Sequence, residues 1–346
     1  MRSRVLIAGG YGVFGKHLAR ELLATTDAEI VLAGRDLERA RSACNELPDP
    51  GRSEPMQLDL ADPSALAHAV EGCVAVACTA GPFQKLSLAL PRAAVEAGVH
   101  WLDVSDVPDW VLPILDDAEL ASAAEVRGLV VMSGLSTVPA VSGLLARRCL
   151  EQLPEARRGR VALFIGNRNQ KGTGATASAL IGGFRDPQPV ELPFGRRKAY
   201  VFATPDAELF RRELGVEAEF RAALEWGYLG RSTAIIGRVT RWLGPAGQAR
   251  IARVLSRMSK PFSRFGSELG CVQVELFADD GRSTALTAVA GQRLVILPLA
   301  VALRALLDGD LGKRGVLHPA GWLAPGEYLA RLQSRGVRVL ARGSPG

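Results

Sequence analysis

The chain has 346 residues, 48% of them hydrophobic and 6% aromatic, with 42 basic and 36 acidic side chains for a net charge of +6. That is long enough for two domains with a sizeable core. The mild charge, with no basic stretch interleaved with aromatics, argues against a nucleic-acid binder.

Residues 4–8 (RVLIA) form a short apolar run that enters "GGYGVFG" and continues into apolar positions at helical spacing, Val13, Leu18, Leu22 and Leu23. This is strand, glycine turn, helix. Strands follow at 29–34, 55–60, 73–81, 99–105 and 128–134, with helices predicted at 37–46, from 63, at 87–97 and at 113–126. Asp36 and Asp62 are placed to cap two of these helices, and Gly98 to end one. Such strict alternation predicts a doubly wound parallel sheet, a Rossmann domain over 1–134.

The pattern then changes. A long helix is expected at 137–153, with Ser136 and Thr137 as capping residues at its start. A strand is expected at 160–166, a glycine-rich turn into a helix at 172–184, and a strand-like "KAYVFA" after a proline-rich stretch. Residues 206–260 read as helical, 270–291 as a hairpin around Asp279-Asp280-Gly281, 298–308 as a helix, and 326–340 as a helix with a short strand. This predicts a second α+β domain with a mixed or antiparallel sheet over 135–310, serving substrate binding and dimerisation. A C-terminal tail at 311–346 is expected to pack back on the first domain.

Gly10, Gly12 and Gly15 spell G-x-G-x-x-G, while Gly9, Gly12 and Gly15 spell G-x-x-G-x-x-G. Both describe a tight turn that sets a helix N-terminus against a diphosphate. The cofactor contacts are therefore assigned to Gly9, Gly10, Tyr11, Gly12, Val13, Phe14 and Gly15. The second strand ends Ala33-Gly34-Arg35-Asp36, with Gly34 where an NAD-binding protein carries an acid. Gly34 is read as leaving room for a phosphate, and Arg35 as binding a 2′-phosphate. NADP(H) is favoured over NAD(H). Asp59 is a candidate for the adenine amino group, with a turn role equally open. The backbone of Ala80 and Gly81 and the ring of Pro82 are candidates for the nicotinamide half.

The stretches "AGGYGVFGKHLARELL", "VLAGRD", "ACTAGPF", "AAVEAGVHWLDVSD" and "GLSTVPAVSGLLA" together resemble the saccharopine dehydrogenase-like NADP-binding oxidoreductases. "GNRNQKGTGATASALIGGF" and the closing "GWLAPGEYLARLQSRGVRV" are similar to their later segments. The resemblance implies a nicotinamide cofactor, a small-molecule substrate, a mixed-sheet second domain and a homodimer. It leaves the substrate open.

The catalytic groups are weakly marked. None of Tyr11, Tyr200, Tyr228 and Tyr328 has a lysine four residues on, so a Tyr-x-x-x-Lys mechanism is not supported. Asp103, Ser105 and Asp106 follow the fifth strand at the cofactor edge and could orient a substrate amine or a water. Asn167, Arg168, Asn169 and Lys171 form a polar cluster that could bind an anion or supply an acid. Capping and loop roles compete with each of these readings. No metal site is expected from the four histidines, and the five scattered cysteines are read as buried in a reducing, cytoplasmic setting. The apolar run 294–307 holds Pro298 and Arg304 and is too short to span a bilayer. A buried helix is expected there, with peripheral membrane contact as the other option. Hydride transfer to or from a C=N, C=O or C=C bond is the expected activity, against a non-catalytic NADP(H)-binding sensor or interaction protein.

Overall fold

A computed structural model describes residues 2–169, 185–225 and 266–341. The chain divides into two compact units, 1–140 with 295–324, and 141–294 with 325–346.

In the first unit, β1 (Arg4–Ala8), β2 (Glu29–Gly34), β3 (Ser53–Gln57), β4 (Ala75–Cys78), β5 (His100–Asp103), β6 (Val130–Met132) and β13 (Gly315–Val316) form one sheet in the order β13-β6-β5-β4-β1-β2-β3. Every pairing is parallel. Val5–Ala8, Ile30–Ala33 and Ala75–Cys78 are consecutively buried. A strand buried at successive residues is covered on both faces, the arrangement expected of a parallel sheet between helices. Those helices are α1 (Val13–Thr25), α2 (Leu37–Asn45), α3 (Pro63–Ala69), α4 (Ala89–Glu96), α5 (Pro108–Leu115) and α6 (Ala118–Val126). Asp36, Asp62 and Asp117 cap α2, α3 and α6 through their carboxylates. The single helix expected at 113–126 is two, because Asp117 caps a new start.

Helix α9 (Leu297–Leu307) also belongs to this unit and packs on α1, with the Arg304 guanidinium donating to the Thr25 carbonyl. Residues 295–310, expected in the second domain, thus lie in the first. Eight of the eleven residues of α9 are buried. Its apolar surface is spent on this core, which removes the ground for membrane contact through this run. No helix among the described residues is long and apolar enough to cross a membrane.

In the second unit, β7 (Arg158–Ile165), β8 (Arg185–Leu192), β9 (Gly195–Val201), β10 (Glu217–Leu224), β11 (Gly270–Phe277), β12 (Ser283–Val289) and β14 (Arg338–Ala341) form a mixed sheet, order β14-β12-β11-β7-β10-β9-β8. Helices α7 (Ser142–Gln152), α8 (Asp206–Leu214) and α10 (Pro325–Gln333) complete it. Three sequence expectations change here. The helix expected from 137 runs as a regular helix only from Ser142, because Val138, which precedes Pro139, is extended at φ −131° and ψ 133°. The helix expected from 206 stops at Leu214, where Gly215 takes φ +65°, and 217–224 is a strand. Pro187 and Pro189 hid β8, which lies at the sheet edge, where a missing backbone N–H is tolerated. The 172–184 segment and most of 206–260 lie outside the described residues.

All five cysteines are buried, and none forms a disulfide. Burial pushes the Cys149 and Cys271 thiols up to about 12, so they pack as small apolar groups.

His100 on β5 ties the strands by a side-chain bond, its Nδ1 accepting from the Val130 N–H at 2.9 Å. Burial, helped by Arg314, lowers its pKa from 6.5 to about 4. Below about pH 6.5 the unfolded chain takes up a proton that the folded imidazole refuses until about pH 4. This contribution is therefore complete above pH 6.5 and is lost as pH falls to 4. It amounts to about 2–3 kcal/mol. Thermal melts of wild type and His100→Asn, whose side-chain oxygen still accepts from Val130, should diverge across that window. Parallel pH profiles would refute the assignment.

Candidate dinucleotide and catalytic site

The glycine turn sits where β1 meets β4 on one side and β2 on the other. This is the reversal point of the strand order, where ligands bind in open α/β sheets. Gly9 and Gly10 N–H groups both donate to the Ala33 carbonyl, and Gly12 N–H to that of Gly9. The glycines are needed for space. A Cβ on Gly9, at φ +81°, would lie 2.8 Å from the Ala80 backbone. One on Gly10 would lie 2.8 Å from Leu32 Cα, and one on Gly15 2.4 Å from the Gly9 carbonyl oxygen. Gly12, by contrast, meets only the Gly9 oxygen at 3.0 Å. Helix α1 begins after Gly12 with no side-chain cap, as α4 and α5 also do. Its first-turn amides, around Val13 and Phe14, are the unpaired donors a diphosphate requires. The turn therefore fits a dinucleotide.

At the end of β2 the structure corrects the reading of Gly34. A Cβ there would lie 2.3 Å from Tyr11 Cε1. The space beside Gly34 belongs to the Tyr11 ring. The Arg39 guanidinium lies over that ring, 4.6 Å from its centroid. Arg35 is exposed, with its carbonyl accepting from Gln57 Nε2. Arg39 was missed by sequence reading. The available signal was the Asp36 cap, which sets Arg39 in the first turn of α2.

Asp59 lies two residues beyond β3, and its Oδ1 accepts from the Ala61 N–H at 3.1 Å, a turn role. Its other oxygen is uncommitted among the described residues. Thr79 leads out of β4 and donates from Oγ1 to the Ala8 carbonyl. This holds Ala80 against Gly9, with Gly81 and Pro82 following at the lip. Phe83 is buried with its ring 5.4 Å from that of Trp110.

Asp103 and Ser105 are not available to a substrate. Both are fully buried. Asp103 Oδ2 accepts from the indoles of Trp101 and Trp110, each at 3.0 Å. Its Oδ1 accepts from the Ser105 N–H at 2.9 Å, the Ser133 hydroxyl at 3.0 Å and the Gly134 N–H at 3.1 Å. Burial raises its pKa, against the donors that hold it down. Ser105 Oγ accepts from the Val107 N–H. The pair locks the loop after β5 instead of reaching out of it. Asp106, between two pinned residues, is exposed to solvent. Ser136 and Thr137 are buried.

In the second unit, Asn169 Nδ2 donates to the Gly166 and Leu269 carbonyls, Asn167 N–H to Glu225, and Arg168 pairs with Glu268. These groups are spent on local loop structure. Lys171 lies outside the described residues. Among the described residues no cluster of His, Cys, Asp and Glu could hold a metal ion.

The parallel sheet and its uncapped glycine turn define a dinucleotide-binding Rossmann domain. Residues 5–132 match the family profile "Saccharopine dehydrogenase NADP binding domain". The whole chain shares its fold with apo saccharopine dehydrogenase (L-Glu forming) from Saccharomyces cerevisiae. The match is 14% identical, covers 98% of this chain and 99% of that one, and has a TM-score of 0.68. GenD2 from gentamicin A biosynthesis, solved with NAD, aligns over 99% of this chain and 97% of its own at 13% identity. Its TM-score of 0.46 is too low for shared geometry. No curated protein sequence matches.

Proposed function

We propose that the chain is an NADP(H)-dependent oxidoreductase that transfers hydride to or from a C=N, C=O or C=C bond of a small molecule. One observation carries the reading. Helix α1 starts without a side-chain cap behind a turn in which Gly9, Gly10 and Gly15 cannot take a Cβ without backbone clashes. The turn residues Gly9 to Gly15 hold the diphosphate by their N–H groups. Arg35 binds the 2′-phosphate, Asp59 faces the adenine, and the Ala80–Pro82 lip borders the nicotinamide. The cofactor supplies the hydride. The protein's part is orientation and exclusion of water. Asp106 replaces Asp103 and Ser105 as the group that handles a proton at this edge. Lys171 stays a candidate for an anionic substrate group.

A second reading, a non-catalytic NADP(H)-binding protein, is favoured by the commitment of Asp103 and Ser105 to internal hydrogen bonds. Turnover decides between the two. Oxidation of NADPH with any of a panel of imines, ketones or enals supports the enzyme. Tight NADPH binding with no turnover supports the sensor.

The cofactor assignment has its own test. Arg35→Gln should weaken NADPH binding about tenfold to a hundredfold, the loss of a charge-assisted contact, and leave NADH unchanged. Equal NADPH affinity in variant and wild type would overturn it.

A further inference from the structure

Two guanidinium groups, not one, stand at the C-terminal end of β2. Arg35 follows Gly34, and Arg39 lies in the first turn of α2. Both are exposed, and among the described residues neither has an acidic partner. Arg41 on the same helix differs, pairing with Glu38 at 2.6 Å. Arg39 instead lies over the Tyr11 ring, 4.6 Å from the centroid. Stacking fixes the guanidinium plane while leaving its edge N–H groups to donate. The same ring fills the space next to Gly34, where an added Cβ would be 2.3 Å from Cε1 and 2.9 Å from Cζ. A carboxylate at that position, the group that reads a ribose 2′-hydroxyl, would meet the ring before it met a ligand.

We propose that Tyr11 and Arg39 are the cofactor-selecting element of this domain. Arg39 is a second ligand of the adenosine 2′-phosphate beside Arg35. Tyr11 is a positioning residue that holds Arg39 flat and occupies the place of a ribose-reading carboxylate. The inference rests on the dinucleotide reading above. It also predicts that Gly34→Asp alone does not create an NAD-selective protein, because the blocking group is the tyrosine and not the backbone.

The test is binding to the full chain, by calorimetry, of NADPH, NADH, adenosine 2′,5′-bisphosphate and 5′-AMP. Arg39→Gln should weaken NADPH and the bisphosphate about tenfold or more and leave NADH and 5′-AMP within about twofold. It should also flatten the salt dependence of NADPH binding, because one charge pair is gone. Tyr11→Leu should shift the same two ligands in the same direction, and Tyr11→Phe, which keeps the ring face, should restore them. A purely structural role for Tyr11 would move all four ligands together and would show as a lowered melting temperature. Arg39→Gln with unchanged NADPH affinity, or with equal losses for NADPH and NADH, overturns the proposal and leaves the dinucleotide site standing. A wild-type chain that binds none of the four overturns both.

Discussion

Gly15→Ala is expected to cost stability and NADPH binding together, although alanine is the better helix former. In an ordinary helix interior the exchange gains about 1 kcal/mol. Here the added Cβ would lie 2.4 Å from the Gly9 carbonyl oxygen and 2.7 Å from both the Cα and the carbonyl oxygen of Gly10. All three are backbone atoms of the turn, so no side chain can swing aside. Relieving such a contact costs about 1–3 kcal/mol and moves the turn away from the helix start. Set against that gain, the net loss is up to about 2 kcal/mol, with NADPH affinity falling at least about tenfold as the donor array loses its alignment. Thermal unfolding and a calorimetric titration read the two effects. A variant more stable than wild type with unaltered NADPH affinity would show that the turn is not the diphosphate seat.

Replacing Asp103 should be strongly destabilising. Asp103→Ala removes the acceptor of two indoles, two backbone N–H groups and a hydroxyl that converge on the buried end of β5. Each buried donor left unpaired costs about 1–3 kcal/mol. Even with partial rearrangement the total is at least about 4 kcal/mol, a large share of the stability of about 5–15 kcal/mol usual for a domain. Asp103→Asn keeps the shape but must turn its NH₂ toward either the indole pair or the three donors on Oδ1. It should cost about 2–4 kcal/mol. Urea denaturation measures both. The opposite pattern, Asp103→Asn fully stable and impaired only in turnover, would restore Asp103 as a catalytic group.

The two cases mark how far the sequence was legible. The glycine turn could be read because its logic is local. Residues 4–23 carry the strand, the turn and the helix in order, and the crowding between Gly15, Gly9 and Gly10 is contained within seven residues. Helix caps were equally plain, since Asp36 and Asp62 act on amides two or three residues on. Asp103 looked catalytic because its position at a strand end is where catalytic groups sit. Its five donors come from β5, from the loop after it, from Trp110 on α5, and from Ser133 and Gly134 just past the end of β6. No spacing along the chain announces that convergence.

Gly34 and β8 make the same point in opposite directions. The glycine at the end of β2 was read as leaving room for a phosphate, but the space beside it is filled by an aromatic ring supplied from the glycine turn, 23 positions earlier. Arg39 went unnoticed because an exposed arginine on a helix is unremarkable until a ring is found beneath it. The prolines of β8 read as loop because their missing donors disqualify an interior strand, and edge position is a property of the assembled sheet.

The amino-acid order was thus sufficient for whatever depends on neighbours within one turn or one strand: the βα alternation, the caps and the glycine turn. Which polar groups face a ligand and which are consumed inside the protein depended on packing. A carboxylate keeps its reactivity only if no buried donors claim it, and those donors arrive from strands and helices that the chain order holds far apart.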